Sequence, residues 1–118
     1  MRILTANRIS SNTAIIPVVI TILCLVPFVG KAFHIDDILF IWVAEQIQMS
    51  PADFYRFSVN WDGIERPMSQ VTKNPPVASY YVALIALLFG WSEIVLHSAF
   101  RIPAAAMSLG TYYLGKEL

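Results

Sequence analysis

From Thr13 to Gly30 the chain runs without a charged residue. As a helix rising about 1.5 Å per residue, this stretch is just long enough to cross a bilayer core of roughly 30 Å. Two more apolar runs follow: Val77 to Phe89, extended by Pro75, Pro76 and Trp91, and Ile94 to Gly115. No other property narrows the fold as much. Only 14% of the residues are charged and 57% are hydrophobic, where soluble domains carry about a quarter charged. The expectation is an all-α membrane protein with three transmembrane helices, at about 13–30, 75–91 and 94–115. A loop of residues 31–74 separates the first two.

Arg2 and Arg8 precede the first run with no acid nearby. The positive-inside rule therefore predicts a multi-pass plasma (inner) membrane protein with a cytoplasmic N-terminus and an external 31–74 loop. A cleaved signal peptide is the rival reading. Gly30-Lys31-Ala32 puts a lysine in the middle of the would-be cleavage site, and the run is long for a signal peptide, so an uncleaved helix is favoured. A formal net charge of zero without a Lys/Arg tract argues against nucleic acid as a partner. Cys24 is the lone cysteine, with no partner for a disulfide or a metal site. The chain ends at Tyr112 to Leu118, on the edge of an apolar helix. Three spans leave little room for a catalytic cavity, so we expect the N-terminal part of a longer multi-pass domain, inactive by itself.

Within the loop, Ile38 to Met49 has helical periodicity. Ile38, Leu39, Phe40, Trp42, Val43 and Ile47 cover one face, with Asp37, Glu45 and Gln48 on the other. This predicts an amphipathic juxtamembrane helix lying on the bilayer, with Trp42 at headgroup depth. Ser50-Pro51-Ala52-Asp53 reads as the start of a second surface helix reaching about Phe57. From Val59 to Asn74 no period is visible, and Trp61-Asp62-Gly63, Arg66-Pro67 and Asn74-Pro75-Pro76 are breakers, so a binding loop is expected. Trp61, Asp62, Glu65 and Arg66 are its candidate contacts to a sugar or acceptor.

Asp36-Asp37, at the head of the amphipathic run, is the sharpest chemical signal. The free N–H groups and dipole of a helix start favour a carboxylate there. Such a group can serve as a general base or bind a divalent cation through oxygen. The plainer alternative is an N-cap, Asp36, followed by an ordinary first-turn acid, Asp37. His34 beside them can ligate metal or donate to a phosphate, or simply sit at an interface. Lys73 and Asn74 precede a double proline that sets the chain's entry into the second run, where a lysine can meet a lipid phosphate or merely snorkel. Arg101 lies near the start of the third run, at a depth from which it can snorkel to the cytoplasm.

Taken in order, these motifs resemble a known family. His34-Ile35-Asp36-Asp37 leading an amphipathic helix looks like the first external loop of GT-C membrane glycosyltransferases, in the protein O-mannosyltransferase and aminoarabinose-transferase-like group. Asn74-Pro75-Pro76-Val77-Ala78-Ser79-Tyr80-Tyr81 resembles that group's entry to its second span. Gly90-Trp91-Ser92-Glu93 with Phe100-Arg101-Ile102-Pro103-Ala104 resembles the start of its third. The resemblance covers nearly the whole chain. It implies the N-terminal part of a GT-C fold and inverting transfer of a sugar from a polyprenyl-phosphate carrier, dolichyl or undecaprenyl, to a lipid, glycan or protein acceptor outside the membrane. It also implies Asp36 as catalytic base or metal-binding carboxylate, Asp37 in the place of its glutamate partner, and the Lys73–Asn74 region, with His34, near the lipid phosphate. The chain departs from the pattern in two places. Asn74 stands where the family has a lysine or histidine, and Thr72 and Lys73 stand where it often has an acid, so a second carboxylate for a divalent ion is missing.

A reading of another class competes: a small non-enzymatic multi-pass subunit or transporter fragment whose loop binds a partner. It accounts for the hydrophobicity but gives no reason for the paired acids or the double-proline entry.

Overall fold

A computed structural model describes residues 11–118. The basic flank with Arg2 and Arg8 lies outside the described residues. The chain is mostly helical and divides into two compact units, Gly30–His97 on one hand and the residues up to Val29 with Ser98–Leu118 on the other.

The expected three transmembrane helices are not there: among the described residues no helix is long and apolar enough to cross a membrane. Each run fails for its own reason. In the first, α1 (Ile15–Leu25) has 11 residues, about 16 Å of helix. Pro27 has no N–H to donate to the turn behind it, and the chain tightens into a 3₁₀ turn, Val26–Phe28, instead of continuing. In the second, α4 (Val77–Phe89) has 13 residues, about 20 Å, between Pro76 and Gly90. In the third, α5 (Glu93–Glu117) is long enough at 25 residues, but His97, Arg101, Ser108 and Gly110 dilute its apolar character. The membrane-spanning architecture therefore fails, and the positive-inside argument about sidedness loses the spans on which it rested.

In the unit that joins α1 to Ser98–Leu118, α1 buries none of its residues, and the buried ones are Ala14 just before it and Ala99 in α5. The Thr21 hydroxyl donates to the Pro17 carbonyl at 2.8 Å and shares a hydrogen bond with Ser108 Oγ of α5 at 3.1 Å. With no span for it to snorkel from, Arg101 is half-buried on α5, its Nε buried without a hydrogen-bond partner.

The central unit is organised around α2 (Asp37–Met49) packed on α4. Val43, Ala44 and Ile47 face Val82, Ala83 and Ala86, and small alanines at the contact let the two helices approach closely. Gln48, on the polar side of α2, donates from Nε2 to the Ala83 carbonyl at 2.9 Å. The apolar face expected to lie on a bilayer is thus covered by protein. Trp42, expected at headgroup depth, meets Trp61 edge-on, ring centroids 6.1 Å apart at 88°.

Two further expectations for this region are corrected. The second surface helix is a single 3₁₀ turn, Pro51–Asp53, and Ser50 provides no side-chain cap. The loop without a period contains an antiparallel hairpin, β1 (Ser58–Asn60) with β2 (Glu65–Pro67), registered Val59 to Arg66. Its four-residue turn places Gly63 at φ 90°, a left-handed conformation that glycine adopts without a Cβ clash. The Arg66 guanidinium pairs with Asp62 at 3.2 Å across this turn. A one-turn helix, α3 (Met68–Val71), follows and seats Met68, wholly buried, under the α2–α4 pair.

Candidate active site at the start of α2

The segment before α2 turns tightly, and the two aspartates take different jobs in it. The Asp37 N–H donates to the His34 carbonyl at 3.0 Å, while the His34 N–H donates to Asp37 Oδ2 at 2.7 Å. This reciprocal pair is half of a capping box, with Asp37 reaching back three residues to occupy an otherwise free backbone donor. Asp36 stands at the N-cap position, yet its side chain makes no capping hydrogen bond. Its carboxylate is exposed and lies 3.8 Å from His34 Nδ1. The capping explanation therefore accounts for Asp37 and leaves Asp36 unaccounted for.

Helical geometry carries Asp36 towards the second motif. Leu39 and Phe40 follow it by three and four residues, so they lie on the same side of α2 one turn further on. Together with Val43, those two side chains pack in a closed seam against Asn74, Pro75 and Ser79, with Tyr55 and Thr72 at its edge. The head of α2 and the double-proline entry to α4 thus meet, although 34 residues separate Phe40 from Asn74 in the chain.

Asn74 is held by its backbone. Its N–H donates to Thr72 Oγ1 at 3.3 Å, and its carbonyl accepts from the Tyr55 hydroxyl. Burial raises the pKa of the Tyr55 phenol above its ordinary value of 10.0, which preserves the proton needed for that bond. Thr72 itself is buried. Lys73 is exposed and forms no ion pair among the described residues. Tyr55 and Thr72, which position Asn74, carry no motif in the sequence. The only hint is the aromatic run Phe54-Tyr55, which packs edge-on at 4.7 Å and extends to Tyr80 at 6.1 Å.

The donor set does not suit a divalent cation. Magnesium and calcium take six or more oxygen ligands, commonly with more than one carboxylate. Here Asp37 is engaged with the His34 backbone, leaving Asp36 and one imidazole. Among the described residues no three His, Cys, Asp or Glu side chains gather to hold a metal ion. No step is therefore assigned to a metal bound through Asp36.

The arrangement pairs one exposed carboxylate, steadied by a neighbouring turn, with a chain entry carrying an exposed lysine. No family model, curated protein or solved structure matches this chain.

Proposed function

We propose that this protein transfers a sugar from a polyprenyl-phosphate carrier to a hydroxyl-bearing acceptor, with Asp36 as the general base. The observation that carries the proposal is the division of labour at the α2 start. Asp37 is occupied in closing the turn, while Asp36 is exposed, makes no cap, and stands one helical turn before Leu39 and Phe40, which pack against Asn74 and Pro75. The likeness of both motifs to polyprenyl-phosphate-dependent glycosyltransferases supplies the chemistry.

In this reading the Asp36 carboxylate takes the proton of the acceptor hydroxyl as its oxygen bonds to the anomeric carbon. The bond from that carbon to the carrier phosphate breaks, and the electron pair leaves on the phosphate. Lys73, an exposed cation beside the constrained Asn74-Pro75-Pro76 segment, stabilises the departing charge. Attack from the face opposite the leaving phosphate inverts the anomeric centre.

The test uses whole lysate of cells expressing the natural gene and a radiolabelled polyprenyl-phosphate hexose. Asp36→Asn keeps the shape and removes the base, so transfer falls by about 10²- to 10⁴-fold, while Lys73→Ala weakens it less. Wild-type transfer by Asp36→Asn removes Asp36 from the mechanism.

A further inference from the structure

A second feature lies on the central unit, on another side of α2 from Asp36. Between α2 and β1 runs an open groove of about 470 Å³, within the size range of small-ligand sites. Trp42 lines it, its orientation set by the edge-on contact with Trp61. Met49 and Phe57 give the groove an apolar component. Glu45 and Asn60 are exposed along it, and Glu45 belongs to no salt bridge among the described residues. The Gln46 amide faces the groove while its Nε2 donates to the Asp53 carbonyl at 3.3 Å. No lysine, arginine or histidine lines it.

We infer that this groove is a binding subsite for a neutral saccharide, with a pyranose ring against Trp42 and its hydroxyls bonded by Glu45 and Asn60. Three properties select that ligand. A carboxylate without a cation repels phosphates and other anions. An indole beside exposed polar groups suits a molecule with a C–H face and a hydroxylated edge, because aromatic rings receive apolar faces while the rim satisfies polar ones. Finally, the groove is open. A quaternary ammonium also favours indole and carboxylate, but its attraction to the ring is weak at exposed sites and grows only when the cation is desolvated. Hydroxyls bonded at a wet rim lose little by that openness. Such a subsite gives a sugar acceptor a place along α2. The inference extends the transfer reading without depending on it, since binding is measured with no carrier present and through residues other than Asp36.

The experiment is saturation-transfer NMR on the whole chain with maltose, cellobiose and mannobiose, and with choline and an extended Thr/Val peptide as competing probes. At least one disaccharide binds saturably. Asn60→Ala and Glu45→Ala, both at exposed positions, each weaken binding several-fold, and Trp42→Ala weakens it about tenfold or more. Trp42→Phe recovers part of the loss, which separates stacking from a folding defect. Glu45→Gln retains most of the affinity, because an amide still bonds hydroxyls; a cation site would lose its charge partner. Absence of saturable binding by all three disaccharides overturns the inference. So does binding confined to choline or the peptide, or disaccharide binding that none of the variants weakens.

Discussion

At the residue scale, the central fact is that Asp36 and Asp37 are neighbours in sequence with unequal duties. Asp37 closes a turn through the His34 N–H, so its loss acts through structure, whereas the Asp36 side chain contributes nothing to that turn. Tyr55 is the other residue whose role is specific. Its hydroxyl reaches the Asn74 carbonyl, and burial holds its pKa above the ordinary value. The unfolded chain therefore ionises this tyrosine first. Its contribution to stability is complete below about pH 10 and is lost as pH rises through the folded-state value, when the phenolate can no longer donate. Tyr55→Phe should cost about 1 kcal/mol at neutral pH and should soften the fall in stability above pH 10. Urea denaturation followed by circular dichroism at neutral and alkaline pH checks both; parallel pH profiles for variant and parent would deny Tyr55 this role.

At the scale of elements, α4 shows how short signals decide boundaries. Its apolar sequence continues almost unbroken into Trp91, yet the helix stops at Phe89 because Gly90 takes φ 90° and ψ 170°. There the Gly90 N–H closes the helix on the Ala86 carbonyl at 2.9 Å. A side chain in that conformation is strained even though open space surrounds the position, so Gly90→Ala should destabilise the fold by about 1–2 kcal/mol. Chemical denaturation measures this directly, and a neutral effect would show that the chain relaxes to negative φ. The hairpin makes the complementary point. With three residues per strand, Ser58-Val59-Asn60 and Glu65-Arg66-Pro67 are too short to show a period. Only Trp61-Asp62-Gly63 is readable as a turn. The strands are stabilised by what lies under them: Val59 joins the core, and the buried Met68 donates its N–H to the Phe57 carbonyl at 2.8 Å.

At the scale of the molecule, α4 is apolar on two opposite faces. Ser79, Val82, Ala83 and Ala86 are buried, while Val77, Tyr80, Leu84, Leu87 and Leu88 recur at helical spacing on the side left exposed. A contiguous patch of that kind on a chain in water promotes association. Light scattering of the purified chain should therefore show concentration-dependent association, which Leu84→Glu with Leu88→Glu suppresses without loss of helix content. Scattering that is equal for the parent and the double variant would mean that this face stays unpaired.

Much of the helical content is legible in the residues themselves. The helix expected over Ile38 to Met49 and found as Asp37–Met49, the amphipathic division of its residues, the return helix after the double proline, and the third helix expected over Ile94 to Gly115 and found as Glu93–Glu117 all follow from period and punctuation. Those are local properties, set by i to i+4 neighbours and by proline and glycine. What covers the apolar residues is not local. Hydrophobicity alone is indifferent to whether lipid or another helix removes a leucine from water. The tertiary structure decided that α2 packs on α4 rather than on a bilayer, and it ended α1 and α4 well short of a span. It likewise brought Phe40 to Asn74 and Tyr55 to the Asn74 carbonyl, contacts between distant residues that no periodicity encodes. The sequence by itself determined that Asp36 and Asp37 begin a helix. Only the folded chain assigned the turn to Asp37 and left the Asp36 carboxylate exposed beside His34, because a side chain's hydrogen bond depends on which backbone donor its turn brings within reach.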